Sequence, residues 1–411
     1  MSAEFQRPHI TAQHWPQITG GAVALFVGLV LLALFSRALS LNFVLVGVGG
    51  LLLVLFVWIN INLRGVRVRR RFDDHAFMGQ TVSVTVDLQN RGLMPVLWLQ
   101  AHERLPLELR IPSFYRTVLS LAPFERTHLA YELTCRRRGY YSVGELELRT
   151  GDFWGVFEQT GVVAGQPLIV YPRTIAFTRL PLPARAPFGA IARPPHLQSD
   201  PSRFYGVRPY SAGDSQRSIH WTATARTGTL QVRRFQSSIA LPAHILLDLN
   251  QAHYPVSYLF SATEMGITVA ASLAVYLHRT RQPVGLTALG LDPLSHPGQH
   301  HIPARSGQGH LMQVLELLAR IDRAPLPNSL ADAIQHASLG LPWGTLLFIV
   351  TPTVDDTIEP VLVGLHQRGL QPVLLLTAPN ATFQRQQARL ARLGTPLLRA
   401  ETDADFDRWR V

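Results

Sequence analysis

The sequence predicts a multidomain protein with two N-terminal transmembrane helices, an antiparallel β-sandwich domain and a doubly wound α/β domain. Three observations lead to this fold class. Two long uncharged stretches lie near the N-terminus, apolar residues alternate with polar ones from about Val66 to Val170, and near-continuous apolar runs separated by helical segments follow Leu241. A chain of 411 residues is also too long for one ordinary core.

Shifts in composition predict the domain boundaries. Five segments follow one another: an N-terminal cytoplasmic segment (1–17), a transmembrane helical hairpin (18–63), the β-sandwich domain (66–180), a linker with a polar motif (181–240) and the α/β domain (241–411).

The two uncharged stretches predict a membrane-spanning hairpin. Ile18 to Phe35 would extend about 27 Å as a helix at about 1.5 Å per residue. Leu41 to Ile61 is longer, and Trp58 fits the aromatic belt of a bilayer. A second span follows the first almost at once, which does not fit a cleavable signal peptide. The alternative is one membrane helix and one buried hydrophobic helix.

The arginines around these spans predict the orientation. Only Arg7 precedes the first span, and only Arg37 lies in the short connection. Five arginines follow the second span directly: Arg64, Arg67, Arg69, Arg70 and Arg71. Because positive residues accumulate on the cytoplasmic side, the pattern predicts an inner (plasma) membrane protein with both termini and the main domains in the cytoplasm. The lipid bilayer is then its first partner.

The basic charge of the chain does not by itself indicate a nucleic-acid partner. The formal net charge is +11, and the chain has no lysine, so every counted basic residue is an arginine. Topology and anionic lipid explain the juxtamembrane arginines better than nucleic acid does. The single cysteine, Cys135, excludes an internal disulfide and all paired-cysteine motifs, and we expect it to be a half-buried core residue.

The β domain has alternating strands and no catalytic pattern. In TVSVTVDLQN the apolar residues from Val82 to Leu88 alternate with polar ones, which predicts a strand with one buried face. We expect the aromatic residues Phe153, Trp154 and Phe157 to cap the core. The run from Arg136 to Arg138 is expected to be a solvated strand end, with a binding patch as the alternative.

Strands and helices alternate in the C-terminal third, which predicts a doubly wound sheet with any site at the carboxyl ends of its strands. Four apolar runs are typical of parallel strands: AHILLDLN, VGLTALG, TLLFIVTP and PVLLLTAP. Sequence signatures of nucleotide loops and of the Gly-x-Ser-x-Gly nucleophile elbow are missing. His296, His300 and His301 have no matching carboxylate or cysteine spacing, so LSHPGQHHIPA is expected to be a polar loop and not a metal site.

A polar motif, GVRPYSAGDSQRSIHWTATARTG, lies between the two domains. We expect Asp214 to cap a helix that begins at Ser215, with Arg217 and Trp221 on the face that Asp214 shares. Two further side chains would face the core and a third would end the helix: Ile219, Ala223 and Arg226. Arginine over tryptophan, paired to a carboxylate, contributes about 1–2 kcal/mol when partly desolvated, which is enough for a staple at a domain junction.

The stretch FYGVRPYSAGDSQRSIHWTATARTGTLQVRRF, Phe204 to Phe235, resembles the defining motif of the bacterial membrane proteins grouped as domain of unknown function 58. In that family the same elements recur in order: a transmembrane pair, a β domain ending in a turn and a Tyr-Pro, this motif and a von Willebrand factor A-like domain. Here the turn reads GDFWGVFE, and Tyr171-Pro172 follows. Nine residues match the motif position by position: Arg208, Tyr210, Gly213, Asp214, Arg217, Ile219, Trp221, Ala225 and Arg226.

The resemblance implies a binding module and no enzyme. Members of the family typically accompany MoxR-type AAA+ ATPases and are thought to help them act in assembly, maturation or cofactor insertion. The resemblance therefore implies a membrane-anchored scaffold or adaptor that works with such an ATPase on an unidentified protein client. The matching motif residues would then be structural or interfacial.

The resemblance also implies a place for Mg²⁺. A von Willebrand factor A domain often holds the ion with an Asp-x-Ser-x-Ser loop, plus a threonine and an aspartate from later loops. Here the loop runs from Asp248 to Ala252 with Asn250 in the middle position, and Thr351-Pro352 stands where the family has Ser/Thr-Asp. Because Mg²⁺ needs near-octahedral oxygen ligands, we expect a degenerate metal-ion-dependent adhesion site without a cofactor, in which Asp248 caps the following loop. Mg²⁺ at Asp248 is the alternative.

Two other function classes stay open at the level of sequence. A hydrolase would use Asp214 and His220 as acid and base, but His220 lies off the predicted face of Asp214 and has no evident nucleophile as a partner. Arginine-mediated binding of nucleic acid or lipid is the second alternative. We expect the protein not to be an enzyme.

Overall fold

The computed structural model describes residues 6, 8, 27–28, 30–31, 39–152, 157–176, 204–211, 215–235 and 242–407. The chain divides into two compact units. The first comprises Met1–Arg173, Asp292–Leu294 and Leu315–Ile321, and the second comprises Thr174–Leu291, Ser295–Val314 and Asp322–Val411. The β domain therefore belongs to the first unit, and the polar motif belongs to the second.

The helix α1 (Leu39–Gly65) has 27 residues and is apolar over almost its whole length. Phe43, Val46 and Leu53 turn large apolar side chains outward, whereas Leu63 in the last turn is buried in the core of the first unit. The helix is long and apolar enough to cross a membrane. It corresponds to the second predicted span.

The first predicted span is only partly described. Residues 27–28 and 30–31 are helical, and the rest of Ile18 to Phe35 lies outside the described residues. A second described helix, Val256–Arg279, also has the length and composition to cross a membrane, but 61% of its apolar window is buried in the protein. Since a membrane span must expose its apolar side chains to lipid, α1 is the stronger candidate.

One apolar core joins the strands of the β domain. These strands are β1 (Val66–Arg71), β2 (His75–Phe77), β3 (Thr81–Asn90), β4 (Val96–Arg104), β5 (Phe114–Leu121), β6 (Arg126–Thr134), β7 (Gly139–Val143), β8 (Leu146–Gly151), β9 (Glu158–Val163) and β10 (Gln166–Tyr171). They form sheets with the orders β1-β3-β6, β2-β10-β7 and β5-β4-β8-β9. The pairs are antiparallel, as predicted, except that β2 and β10 run parallel.

The strand β3 shows the predicted alternation. Its inward side chains are all buried: Val82, Val84, Val86 and Leu88. Cys135 is fully buried in the same core, so the expectation of a half-buried residue is wrong, and burial raises the pKa of its thiol. Phe157 packs edge-on against Phe56 of α1, with ring centroids 5.8 Å apart. Phe153 and Trp154 lie outside the described residues.

Two arginines that the sequence places in solvent or near lipid are buried. Arg70 donates from Nε to Glu103 Oε1 at 2.8 Å, and both side chains are enclosed. Arg138 donates to three backbone carbonyls of its own unit, at 2.8–3.3 Å: Leu318, Ala319 and Ile321. The run from Arg136 to Arg138 was expected to be a solvated strand end, and this expectation is wrong for Arg138. Backbone carbonyls replace water around its charge.

The second unit contains a hairpin and a six-stranded sheet. Its strands are β11 (Phe204–Pro209), β12 (Gln231–Phe235), β13 (Ala243–Asp248), β14 (Val284–Gly290), β15 (Gly298–Arg305), β16 (Leu346–Thr351), β17 (Gln371–Leu376) and β18 (Leu397–Arg399). The helices after α1 are α2 (Trp221–Thr227), α3 (Leu259–Arg279), α4 (Gln308–Arg320), α5 (Leu330–Ser338), α6 (Ile358–Gln367), α7 (Phe383–Arg392) and α8 (Asp403–Asp407).

The large sheet has the order β15-β14-β13-β16-β17-β18. The four strands predicted from apolar runs are present and parallel. The prediction that LSHPGQHHIPA is a polar loop is wrong. Its residues from Gly298 onward belong to the edge strand β15, which pairs antiparallel with β14. Residues of β15 alternate between exposed and half-buried, so this strand lacks the continuous apolar run that marks its neighbours.

Candidate functional site

The strand order reverses at the centre of the large sheet. From β13 the chain goes to β14 on one side, and it later returns to β16 on the other side of β13. Open α/β sheets bind their ligands in the crevice at such a switch point, beyond the carboxyl ends of the strands. Asp248 ends β13 and Thr351 ends β16, so these two residues mark the candidate site.

The Asp248 carboxylate is fully buried and accepts hydrogen bonds on both oxygens. His253 Nδ1 lies 2.8 Å from Oδ2, and the Thr351 hydroxyl donates to the same oxygen at 3.1 Å. The backbone N–H of Asn250 donates to Oδ1 at 3.0 Å, which confirms the expectation that Asp248 caps its loop. The Tyr254 hydroxyl donates to the Asp248 carbonyl at 2.6 Å.

Asn250 is held as firmly as Asp248. Its side-chain oxygen accepts from the backbone N–H of Ala252 and of Leu326, at 3.2 and 3.1 Å. Its side-chain nitrogen donates to the carbonyls of Leu326 and Asn328, each at 3.0 Å. The amide thus ties the loop after β13 to the segment before α5, and it is 1% exposed.

His253 is the member of this network that reaches solvent. Its side chain is 17% exposed. The hydrogen bond to Asp248 raises the pKa of His253, and the charges of Asp248 and Asp355 add to the effect against the opposing effect of burial. Sequence reasoning missed this residue, although a histidine five positions after a strand-ending aspartate could have signalled it.

The residues at this position do not fit a magnesium ion. Both oxygens of Asp248 accept hydrogen bonds from the protein, the Asn250 amide is bonded to backbone, and the Ala252 side chain has no atom that can bind a metal ion. Among the residues that the structure describes, no group of three or more His, Cys, Asp or Glu side chains could hold a metal ion. Mg²⁺ prefers several oxygen ligands in near-octahedral geometry, which this donor set does not offer.

An exposed apolar segment follows the polar network, on the loop between β13 and α3 and in the first turn of α3. Val256 is 92% exposed, Phe260 53% and Tyr258 42%. Val256 and Tyr258 lie in a 3₁₀ turn, and α3 begins one residue later than Tyr258. Loops after parallel strands lie at the carboxyl edge of the sheet, so these side chains border the candidate site.

The polar motif folds differently from the single predicted helix. Gln216–Ser218 form a 3₁₀ turn, Ile219 is extended and pairs with Val232 of β12, and α2 begins only at Trp221. The expected shared face of Arg217 and Trp221 on one helix is therefore wrong, because the strand-like Ile219 separates the two segments. Pairing with β12 overrides the local helical pattern.

The structure distributes the motif residues over the hairpin. Arg208 lies in β11, the Tyr210 N–H donates to the Leu230 carbonyl at 2.8 Å, and Ile219 is buried. Three further motif residues are exposed on α2: Trp221, Ala225 and Arg226. Gly213, Asp214 and the side chain of Arg217 lie outside the described residues.

His220 has a structural part in the motif. Its Nδ1 accepts the backbone N–H of Ala223 at 3.1 Å and so caps the N-terminus of α2. A ring nitrogen that accepts an amide proton is not available at that atom to take a proton from a substrate. This geometry weighs against a hydrolase that uses His220 as its base.

The solved structures that are similar to parts of this chain include the following two. An aerotolerance-related membrane protein from Bacteroides fragilis NCTC 9343 aligns with 12% identity and a TM-score of 0.31, over 41% of this chain and 94% of that one. Proximal thread matrix protein 1 from the mussel byssus aligns with 7% identity and a TM-score of 0.30, over 41% of this chain and 45% of that one. Similarity at this level carries no argument about fold or function.

Sequence comparison gives a clearer relationship. The uncharacterized protein YeaD of Bacillus subtilis (strain 168) is 25% identical over 265 residues, which is 62% of this chain and 63% of YeaD. The chain thus spans less than two thirds of that relative. A family model described as "Protein of unknown function DUF58" matches residues 206–362. This region of similarity holds the hairpin motif together with Asp248, His253 and Thr351.

Proposed function

We propose that the protein is a membrane-anchored, non-enzymatic adaptor. Its α/β domain, which we take to be von Willebrand factor A-like, docks a MoxR-type AAA+ ATPase at the carboxyl edge of the sheet and so supports the assembly or maturation of a client protein. The resemblance of the motif to its family suggests the class of partner. The network around Asp248 suggests the docking edge.

Backbone pairing near the N-terminus supports a hairpin anchor. The N–H of Gln6 donates to the Val68 carbonyl at 2.7 Å, and the N–H of Val68 donates to the Gln6 carbonyl at 3.0 Å. Paired residues lie on one side of any membrane, so the chain between them crosses it an even number of times. In the proposed anchor α1 is one crossing, the predicted span from Ile18 to Phe35 is the other, and the arginines after α1 keep the β domain in the cytoplasm.

The closed network around Asp248 is the observation that carries the non-enzymatic assignment. At the position where an α/β enzyme would present catalytic groups, the carboxylate, the Asn250 amide and the Thr351 hydroxyl bind groups of their own chain. The neighbouring loop instead exposes Val256 and Tyr258. Apolar and aromatic anchors of this kind are typical of protein interfaces.

Site-specific crosslinking tests this docking edge. A photoreactive amino acid replaces Val256 in the full-length protein in its native membrane. Leu339, which is 63% exposed on the loop that leads into the amino end of β16, is the matched control on the opposite edge. We expect the MoxR-type ATPase to be captured from position 256 and not from position 339.

Two results would contradict the proposal. Equal capture from both positions would mean that the carboxyl edge has no special part in docking. Capture of no ATPase from position 256 or from position 339, while Val256→Asp leaves the function of the membrane complex intact, would remove the proposed partner class.

A further inference from the structure

Two loops at one end of the β domain expose large apolar side chains. The β3–β4 loop and the start of β4 carry Leu93, Met94 and Leu97, which are 82%, 44% and 52% exposed. The β5–β6 loop carries Phe124, which is 61% exposed. We call these four residues the apolar tip. Soluble proteins rarely leave such groups together in water without a binding function.

A buried asparagine holds the two loops together. Asn90 is fully buried, and its side-chain nitrogen donates to the carbonyls of Met94 and Ala122, at 2.9 and 3.2 Å. Its side-chain oxygen accepts the N–H of Gly92 at 2.8 Å. Residues more than thirty positions apart in the chain thus form one surface, because a single amide satisfies the backbone of both loops.

The apolar tip lies beside the last turns of α1. The Arg91 N–H donates to the Gly65 carbonyl at 2.9 Å. The side chains of Asn62 and Trp58 both donate to the Pro95 carbonyl, at 3.2 and 3.4 Å. A tryptophan near the end of a membrane helix sits at the level of the lipid headgroups, so its bond to Pro95 places the β3–β4 loop at the same level.

The charges around the tip favour a lipid surface. Arg64, Arg91 and Arg126 are exposed near it, and arginines next to a span attract anionic headgroups. The carboxylate of Glu125 turns back to accept the Ala122 N–H at 2.6 Å. Exposed apolar side chains ringed by arginine are the pattern of proteins that insert into the interfacial layer of a bilayer.

We propose that the apolar tip inserts into the cytoplasmic interface of the bilayer beside α1. The β domain then touches the membrane at a second place, and its rotation about the end of α1 is restricted. This inference rests on the proposed membrane anchoring and adds to it a specific lipid-binding surface.

Lipid quenching of a fluorescent label tests the insertion. An environment-sensitive fluorophore is attached to the Leu93→Cys variant of the full-length protein in vesicles of phosphatidylcholine and phosphatidylglycerol, with or without brominated acyl chains. Cys135 is fully buried, so the introduced thiol is the one that reacts, and unlabelled wild type measures any background. We expect emission shifted to shorter wavelength and strong quenching by brominated lipid.

Two variants make the outcome decisive. Leu107→Cys is the matched control, since Leu107 is 66% exposed beyond the opposite end of β4, and we expect no quenching there. Val46→Cys, on the exposed part of α1, reports on the anchor itself. Quenching at position 46 without quenching at 93 would overturn the insertion and leave the anchor standing, whereas loss of both would overturn both. Shielding of the position 93 label in native membranes, but not in pure lipid, would show that the tip binds a protein and that the lipid proposal is wrong.

Discussion

The Asp248 carboxylate has no exposure to solvent, and a buried charge is tolerated only when it is paired and hydrogen-bonded. His253 supplies that pairing at 2.8 Å, and the hydrogen bond raises the pKa of its imidazole. When it is protonated, His253 neutralises the buried carboxylate of Asp248.

The His253–Asp248 pair predicts a pH-dependent contribution to stability. Because the folded-state pKa of His253 is raised, the contribution is fully present below the ordinary histidine value of about 6.5 and is lost as the pH rises through the raised value. We expect His253→Gln to lower the free energy of unfolding by about 1.5–3 kcal/mol at mildly acidic pH and by less at alkaline pH. Denaturant titrations of both proteins at several pH values measure the difference.

Other histidines do not obscure this difference. Burial, with a smaller effect of His301, lowers the pKa of His244 to about 4, so His244 has the opposite sign: its contribution is present above the ordinary value and is lost as the pH falls. That effect is common to wild type and variant and cancels between them. His296→Gln, at an exposed position, is the control and should leave stability unchanged, and a pH-independent effect of His253→Gln would contradict the pairing.

At the scale of elements, a line of polar side chains crosses β13, β14 and β15. His244 Nε2 lies 2.7 Å from the Thr287 hydroxyl, which lies 3.0 Å from His301 Nδ1, and the two rings stack with centroids 5.3 Å apart. His244 is fully buried. The edge strand β15 therefore supplies His301 as a polar and stacking partner for the interior of the sheet. His301, one of the three histidines that the sequence analysis considered as metal ligands, is part of this line of polar side chains.

Close packing at Gly285 predicts that a single methyl group disturbs these strands. A Cβ atom at this position would come within 2.4 Å of His244 Nδ1 and 2.9 Å of the Ala304 backbone nitrogen. We expect Gly285→Ala to lower the free energy of unfolding by about 1–3 kcal/mol through overpacking. Gly309→Ala is the matched control, because Gly309 lies in α4 with nothing within 4 Å of its Cβ position. Equal thermal midpoints for the two variants would disprove the tight contact.

The periodicity of apolar residues predicted the strands whose burial follows that pattern. It failed for segments whose conformation is determined by pairing with a distant strand. The alternation from Val82 to Leu88 and the apolar run that ends at Asp248 both correspond to strands. The motif helix was misplaced because Ile219 pairs with β12, a long-range contact that no local pattern contains. The strand β15 was missed because an edge strand with one open side does not need apolar residues.

At the scale of the whole molecule, the order of the helical, β and α/β segments could be predicted from the sequence. The surfaces and contacts formed by residues from different loops could not. The uncharged stretch that became α1, the β domain and the α/β sheet all follow the expected sequence. The apolar tip depends on Asn90, which joins loops from different parts of the β domain. The partner of Asp248 likewise depends on the turn that brings His253 back to it.

An adaptor of the proposed kind needs two crossings and an α/β domain that faces the cytoplasm. The backbone pair between Gln6 and Val68 requires both residues to share one side of the membrane, and the arginines after α1 favour the cytoplasmic side. The chain would then present the exposed loop at Val256 to a cytoplasmic ATPase.

The most direct measurement fuses a fluorescent reporter that is active only in the cytoplasm to the N-terminus or to the C-terminus, and follows fluorescence in the membrane fraction. We expect both fusions to fluoresce there and to resist extraction with salt. A dark C-terminal fusion, different results at the two ends, or release into the soluble fraction would contradict the hairpin anchor and the adaptor role built on it.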